Sequence, residues 1–446
     1  MKLFNRLFTL FCLVEVTSLS VQAQQQAEKC GFNHAVEFLN QQNPNYKQQI
    51  NAAYQQWVIE ANAKQNKNDK SIYVIPVVFH VVWNSNNLQQ NLDDSVLIEQ
   101  INVLNEDFRR LNADTVNMRS GFAPLVGDGQ IEFQLACKDP NGNATDGIVR
   151  VQTSTTFGGG FLPDMASIAK IQNTSQGGSD AWNTSEYLNI WVGDINGGSA
   201  TPSLLGVATP PAGLSNWPAN SIPPELTDGA IIHYSAFGRN NPAAMTATVI
   251  NGRTVTHEVG HYLGVRHTAE NTFGGLFGSI CGDDDGLTDT PNCDQSQQGC
   301  VTTRNSCTDA IPGVGDLPDM VENYMDYSDQ DCQNSFTTGQ INIMRSVLQN
   351  ERNGLLTSPA LSNCVVGIEE NMLANNVSIY PNPSNGIVTI STNNEEKVNV
   401  IFFNSMGQSV QPTLIGNQQY QLDNKGIYFV TVQTEKATVT KKVIVQ

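Results

Sequence analysis

The sequence predicts a mixed α/β (α+β) domain with a twisted mixed sheet, followed by a small all-β sandwich. Apolar and β-branched runs of strand length alternate with segments whose apolar residues recur at helical spacing, which predicts the first unit. From about residue 370 to residue 446, apolar and polar residues alternate between Gly, Asn and Pro turns, which predicts the sandwich. A chain of 446 residues is also too long for one ordinary domain.

Residues 1–23 have the layout of a cleavable signal peptide. Lys2 and Arg6 precede an apolar stretch that ends in small residues near Ala23. A membrane anchor is the less favoured alternative, because Arg6 and Glu15 interrupt a run that needs about 20 apolar residues to span a bilayer. No later segment is apolar enough to span, so the sequence predicts an exported protein without a transmembrane segment.

A polar leader and a larger domain follow the signal peptide. The leader, residues 24–70, is rich in Gln, Asn and Lys and has one segment of helical character. The domain predicted for residues 71–355 begins with a β-branched strand and continues with an amphipathic helix that Asp93 or Asp94 caps. Further strands are predicted at 131–137, 187–195, 204–210 and 229–237, and helices at 251–266 and 339–352.

Charge and cysteine content restrict the possible partners. A net charge of -18 argues against nucleic acid, which binds clustered Lys and Arg, and it suits cationic peptides or calcium. Five of the nine cysteines crowd into one loop-rich region, and in an exported protein such a cluster favours disulfides. A four-cysteine zinc site is the weaker alternative, because the paired C-x-x-C spacing is missing. The sequence alone leaves the pairing open.

The stretch THEVGHYLGVRH concentrates three of the six histidines of the chain. On a helix, His257 and His261 share one face and can bind a single metal ion, with Glu258 beside them. Gly264 lets the backbone leave the helix, so that His267 can return as a third ligand. Three histidines leave the fourth tetrahedral position to water, and this arrangement predicts a catalytic zinc ion.

This stretch resembles the signature of the metzincin metallopeptidases, H-E-x-x-H-x-x-G-x-x-H, which is followed by a turn that carries a methionine beneath the zinc. The segment ENYMDYS places that Met-turn at Met325. With DDDGLTDTP and SFTTGQINIMR, the resemblance is to the pappalysin family and covers residues 71–353. It implies a metzincin fold with an active-site helix and a secreted endopeptidase. Zinc-bound water would be activated by Glu258, the tetrahedral intermediate would be stabilised by Tyr327, and cleavage before Arg or Lys would be selected by Asp331.

The same resemblance implies a structural calcium ion and two disulfides. A solvated acidic loop is the alternative to calcium. The calcium ligands would come from Asp285, Thr288 and Thr290. The implied disulfides join Cys281 to Cys307 and Cys300 to Cys332, and they leave Cys137, Cys293 and Cys364 unassigned.

The leader and the C-terminal segment resemble two processing elements. The segment EKCGFNHAV resembles a pro-segment, in which the Cys30 thiolate would occupy the open zinc position until proteolysis; a leftover cysteine is the alternative. Residues 370–446, with YPNPSNG and TKKVIVQ, resemble the sorting domain of type IX secretion, and that secretion machinery would be a partner; a generic adhesive sandwich is the alternative.

Two other functions compete with peptide hydrolysis. A catalytically inactive adhesin or binding protein on a metzincin scaffold would lack a metal ligand or the general base, yet all four residues are present. A metal-storage protein would not explain Glu258, Met325 and Tyr327 together. Protein or peptide substrates are therefore the predicted partners.

Overall fold

The structure is a computed structural model. It describes residues 30–63, 70–159, 163–199, 202, 204–211, 226–245, 249–269, 281, 285–294, 299–362, 364, 377–392, 398–405, 407–416, 418–433 and 438–446. The predicted signal peptide, residues 1–23, lies outside the described residues.

The chain forms two compact units. The first contains residues up to 135 together with residues 148–357, and the second contains residues 136–147 and 358–446. The sequence assigns residues 136–147 to the larger domain, whereas in the structure they belong to the second unit. A disulfide between Cys137 and Cys364 ties this short segment to the start of the C-terminal part, and sequence alone could not choose that pairing.

The first unit is built on a six-stranded mixed sheet. Its strands are β1 (Tyr73–Asn84), β2 (Ile131–Leu135), β3 (Ile148–Thr153), β4 (Leu188–Gly193), β5 (Gly206–Ala208) and β6 (Ala230–His233). The order is β2-β1-β4-β6-β5, and β3 also pairs with β1. All ladders are parallel except the one between β5 and β6, so that β5 is an antiparallel edge strand.

The helices of the first unit include two in the leader. They are α1 (Phe32–Gln42), α2 (Tyr46–Ala63), α3 (Asp94–Phe108), α4 (Met165–Ile168), α5 (Arg253–Tyr262), α6 (Thr338–Gln349) and α7 (Asn353–Leu356). Short 3-10 turns lie at Leu88–Gln90, Ala113–Asn117, Ala169–Gln172, Thr174–Gln176 and Tyr234–Ala236. Among the described residues, no helix has both the length and the apolar character needed to cross a bilayer.

Burial explains why these segments fold as they do. Eight consecutive residues of β1 are buried, because a strand with parallel neighbours is covered on both faces. Asp93 caps α3 by accepting a hydrogen bond from the backbone N–H of Ser95 at 2.9 Å. The inner face of α3 then buries Leu97, Leu104 and Phe108 in the core that also contains α5 and α6.

The second unit contains two antiparallel four-stranded sheets, as expected for the predicted sandwich. Its strands are β7 (Val377–Tyr380), β8 (Ile387–Thr392), β9 (Asn399–Asn404), β10 (Ser409–Val410), β11 (Thr413–Gly416), β12 (Gln419–Gln421), β13 (Gly426–Gln433) and β14 (Thr438–Val445), preceded by a 3-10 turn at Pro359–Leu361. The inward side chains, such as Phe402 and Val430, form a separate apolar core. The predicted fold class is confirmed for both units.

Candidate active site

The helix α5 carries two of the three clustered histidines in the middle of the first unit. All ten of its residues are buried. The helix ends at Tyr262, and Gly264 has a φ of +92°, a backbone conformation that side chains disfavour. A Cβ at this position would also lie 2.9 Å from Val347 of α6. The chain can therefore reverse here and return His267 toward the helix.

The three imidazoles converge on one point. The Nε2 atoms of His257, His261 and His267 lie 3.0 to 3.2 Å from one another. Three nitrogens that share a tetrahedral zinc ion at about 2.0–2.1 Å would be separated by about 3.3 Å. The spacing of these nitrogens fits a common metal ion better than hydrogen bonds between imidazoles.

Backbone carbonyls fix two of the rings. Nδ1 of His257 donates to the Tyr324 carbonyl at 2.6 Å, and Nδ1 of His261 donates to the Val265 carbonyl at 2.8 Å. Each ring therefore presents the lone pair of Nε2 to the common point. Burial, with the neighbouring imidazole of His257, holds the pKa of His261 and of His267 well below the ordinary value, which favours the neutral form that binds metals.

Cys30 of the leader is the fourth member of this cluster. Its Sγ and one ligand nitrogen of each histidine all lie within 4.8 Å of one another, and this is the one such cluster found in the described part of the chain. The next residue, Gly31, donates its backbone N–H to the carbonyl of Gly206 in the edge strand β5 at 2.8 Å. Phe32 then stacks on His261 with ring centroids 4.2 Å apart. The leader thus lies across the histidine cluster.

Glu258 lies beside the histidines and is fully buried. Its Oε2 accepts a contact from the Cys30 thiol at 3.5 Å, while Oε1 makes no hydrogen bond with a described residue. Burial raises the pKa of this carboxyl to about 8, although the hydrogen bond from Cys30 acts in the opposite direction. A Cβ at Gly206 would lie 2.7 Å from Cγ of Glu258, so that only glycine allows the edge strand to approach this carboxylate so closely.

Met325 and Tyr327 flank the cluster from the following segment. A Cβ at Gly260 would lie 2.5 Å from the Met325 sulfur, which places this methionine directly against α5. The ring of Tyr327 lies 5.0 Å from that of His267, and its hydroxyl donates to the Cys30 carbonyl at 3.4 Å. The geometry therefore brings both predicted residues to the histidine cluster.

A small cavity opens between α5 and the segment after Met325. Its lining residues are Leu205, Val249, Arg253, Thr254, His257, Asp326, Ser328, Gln330 and Gln333. Asp331, the predicted specificity residue, is exposed and outside this lining; its carboxylate accepts a hydrogen bond from the Asn251 side chain at 2.9 Å. The buried Asp326 is the carboxylate that lines the cavity itself.

The predicted calcium ligands are only partly brought together. Asp285 is buried, and its carboxylate accepts from the Leu287 backbone N–H at 3.0 Å and from Gln340 at 3.4 Å. Thr290 is buried, with its hydroxyl 3.4 Å from that of Thr337, whereas Thr288 is exposed. A nearby carboxylate missing from the prediction, Asp289, has a buried Oδ1 without a hydrogen-bond partner among the described residues. These groups offer carboxylate and hydroxyl oxygens, the type of ligand that calcium prefers.

The disulfides of the first unit follow the pairing that the family resemblance implies. Cys281 is bonded to Cys307, and Cys300 is bonded to Cys332, beside the Met325 segment. Cys293 is a buried free thiol, and burial raises its pKa above the usual range. The two disulfides cross-link the long loop that precedes Met325.

Comparisons with known proteins find matches to both units of the chain. A family model described as pregnancy-associated plasma protein-A matches residues 172–349, and one described as a secretion system C-terminal sorting domain matches residues 378–446. An extracellular metalloprotease of Uncinocarpus reesii is 30% identical over 278 residues, which cover 61% of this chain and 75% of the relative. Another, of Verticillium alfalfae, is 30% identical over 291 residues, which cover 65% and 79%.

Solved structures are similar too. Mature mirolysin of Tannerella forsythia, in complex with a cleaved peptide, is 42% identical with a TM-score of 0.54, over 65% of this chain and 97% of that one. A mutant promirolysin of the same organism is 37% identical with a TM-score of 0.59, over 75% and 98%.

The fold, the histidine cluster and these likenesses define a secreted metalloprotease that acts on proteins or peptides and uses a catalytic metal, typically zinc. Within that class, the chain belongs to the pappalysin family of metzincins and carries a type IX secretion sorting domain at its C-terminal end. The predicted family, enzyme class and secretion are thereby confirmed.

Proposed function

We propose that this protein is a zinc endopeptidase whose metal ligands are His257, His261 and His267. The carrying observation is the convergence of their Nε2 atoms to within 3.0 to 3.2 Å, in a buried setting that favours the neutral form of His261 and His267. The Cys30 thiol at the same point supports a latent precursor in which the leader blocks the open coordination position.

In the proposed mechanism, Glu258 is the general base. When bound, zinc supplies Lewis acidity, which lowers the pKa of water and polarises a carbonyl oxygen. Once the leader has left, the Glu258 carboxylate takes the proton from the attacking water and returns it to the departing amine. The hydroxyl of Tyr327 donates a hydrogen bond to the oxyanion of the tetrahedral intermediate. The contact of that hydroxyl with the Cys30 carbonyl supports this role, because the leader presents a backbone carbonyl at the same place.

The edge strand β5 would hold the substrate backbone. The hydrogen bond from Gly31 to the Gly206 carbonyl supports this proposal, since an extended peptide can add to an exposed strand edge in the same way. The cavity beside His257 would then receive the side chain that follows the scissile bond.

Cleavage before Arg or Lys is proposed for this cavity. Asp331 lies next to Gln330, which lines the cavity, and its exposed carboxylate can meet a long cationic side chain at the opening. Asp326 contributes a second, buried carboxylate within the cavity. An arginine or lysine side chain of the substrate would form charge-assisted hydrogen bonds with these carboxylates, and these bonds would offset the free-energy cost of burying Asp326.

Calcium is proposed as a structural ion in the loop that contains Asp285 and Thr290. The Oδ1 of Asp289, which accepts no hydrogen bond from a described residue, supports an additional contribution from this carboxylate. The ion would stabilise the start of α6, where Asp289 already accepts the Gly339 backbone N–H at 2.6 Å.

The deciding experiment compares the unsubstituted chain with Glu258→Ala after limited proteolysis has removed the leader. We expect both proteins to bind about one zinc ion per chain, since Glu258 is not a ligand. Casein cleavage should fall at least about 100-fold in the variant. Normal cleavage by a folded, zinc-loaded Glu258→Ala protein would contradict the mechanism. Substrate binding without cleavage by the unsubstituted chain would favour an inactive adhesin or binding protein instead.

A further inference from the structure

Beneath α5, the carboxylate of Asp107 is almost completely shielded from solvent. Asp107 lies in the last turn of α3 and is 4% exposed. Its Oδ1 accepts a hydrogen bond from the Tyr324 hydroxyl at 2.7 Å, and its Oδ2 accepts one from the Thr256 hydroxyl at 2.7 Å. A single carboxylate therefore joins α3 to the active-site helix and to the segment that carries Met325.

Both hydroxyl donors belong to residues that adjoin the same imidazole. Thr256 directly precedes His257 in α5. Tyr324 is fully buried, and its carbonyl accepts the hydrogen bond from Nδ1 of His257 at 2.6 Å. The Asp107 carboxylate is thus connected to the His257 ring in two ways. One connection runs through Thr256 and the helix backbone, and the other runs through the hydroxyl and the carbonyl of Tyr324.

An ion pair with Arg253 does not by itself explain why the Asp107 carboxylate is buried. Nε of Arg253 lies 3.5 Å from its Oδ1, but the two terminal nitrogens of Arg253 donate to Asp114 at 2.6 and 2.9 Å. Arg253 thus has a carboxylate partner without Asp107. Both short hydrogen bonds of Asp107 come from neutral hydroxyls, and a buried carboxylate is tolerated only when its oxygens have such donors.

We propose that Asp107 is a positioning residue for metal binding. It holds Tyr324 and Thr256 in place, so that Nδ1 of His257 meets the Tyr324 carbonyl and Nε2 faces the metal. The inference rests on the proposed zinc function and adds a residue of α3 that is 149 positions away from Thr256 in the sequence. Removing an outer partner that orients a ligating histidine typically weakens metal affinity about 10- to 100-fold.

The test uses the full chain with Glu258→Ala, which prevents self-cleavage. Tyr324→Phe removes the donor of one hydrogen bond, and Asp107→Asn replaces one of the two accepting carboxylate oxygens by an NH2 group that cannot accept, both with little change in shape. Each should raise the zinc dissociation constant about 10-fold or more, measured by competition with a chromogenic chelator, and should alter the visible absorption of the cobalt-substituted protein. The double variant should lose less affinity than the sum of the two single losses, because both substitutions act on the contact between Asp107 and Tyr324.

The matched control is Tyr187→Phe. Tyr187 is a fully buried tyrosine that precedes β4, and its substitution should leave zinc affinity and the cobalt spectrum unchanged. Unchanged affinity and spectra in Asp107→Asn and Tyr324→Phe, with normal zinc binding by the parent, would overturn the positioning role whatever happens to thermal stability. A parent that binds no zinc would instead overturn the proposed zinc site. If Asp107→Asn does not fold, Tyr324→Phe decides, because it retains the ring and the carboxylate.

Discussion

The Sγ atom of Cys30 lies 3.5 Å from Oε2 of Glu258, among the three imidazoles of the active site. One thiol of the leader thus contacts the proposed general base and approaches the proposed metal position at the same time. The same segment pairs with β5 through Gly31 and stacks Phe32 on His261. Latency would therefore have two components, a thiol at the metal and a leader that covers the cleft.

Cys30→Ala should partly activate the precursor. The substitution removes the thiol but leaves the Phe32 stack and the contact of Arg266 with Tyr54 in α2, so the leader stays docked part of the time. We expect precursor cleavage of a short peptide to rise about 10-fold or more, while remaining below that of the mature enzyme. Cys293→Ala, at the other described cysteine that forms no disulfide, is the matched control and should leave latency intact. A Cys30→Ala precursor as inactive as its parent would contradict the role of the thiol.

Tyr327→Phe should slow the chemical step of the mature enzyme. The hydroxyl that now donates to the Cys30 carbonyl would be missing from the oxyanion, and loss of one such donor costs about 100-fold in kcat. KM and zinc content should change little, because the ring and the three histidines remain. Steady-state kinetics on a fluorogenic peptide give the two constants. A large rise in KM at unchanged kcat would assign Tyr327 to substrate binding rather than to the transition state.

Asp331→Asn should weaken the preference for Arg and Lys after the scissile bond. The exposed carboxylate lies beside the cavity rather than in its lining, so we expect kcat/KM for cationic substrates to fall about 10-fold, with little change for apolar ones. A peptide library cleaved by the mature enzyme measures both. Asp329→Asn, two residues earlier, is the control. Unchanged specificity in Asp331→Asn together with an altered profile in Asp326→Asn would transfer the role to the buried carboxylate.

A calcium-selective chelator should destabilise the folded chain. Calcium that binds the loop containing Asp285, and that is present well above its dissociation constant, would stabilise the folded chain. Its removal should lower the free energy of unfolding by about 3 kcal/mol and the melting temperature by about 5 °C. Excess calcium should restore the original value, and zinc content must be unchanged so that loss of the catalytic metal is not the cause. A melting temperature that does not respond to the chelator would count against the site.

Local sequence patterns predicted the parts of this site whose residues are neighbours in the chain. The histidine stretch predicted α5 and its reversal at Gly264, because helical spacing and glycine conformation are local properties. The strand β3 escaped prediction, since its side chains are only partly buried and show no sharp alternation.

Local sequence patterns could not predict the contacts between residues that are far apart in the chain. Phe32 stacks on a histidine more than two hundred positions away, and Asp107 meets Tyr324 across 217 positions. No periodicity connects such residues, and only the packing of the leader and α3 around α5 brings them together. The Cys137–Cys364 bond, which draws a short segment into the second unit, is a third contact of this kind.

His80 should make the first unit less stable in acid. Its buried ring contacts Ser179 at 2.8 Å and Asn189 at 3.0 Å, and burial lowers its pKa to about 4. The unfolded chain, with a histidine pKa of about 6.5, binds a proton first as pH falls, so the stabilisation is complete above pH 6.5 and is lost on the way down to about 4. At pH 5 the loss should be about 2 kcal/mol.

Urea unfolding at pH 7 and pH 5 measures this effect, with tryptophan fluorescence as the probe; Trp191, whose ring stacks on His80 at 5.1 Å, is one of the five tryptophans that contribute. The comparison is with His80→Gln, which retains hydrogen-bonding groups but cannot titrate. Other titrating groups act equally in both proteins, so the difference between their pH dependences isolates His80. We expect the parent to lose about 2 kcal/mol more than the variant between the two pH values. Equal losses would mean that His80 does not resist protonation in the folded state.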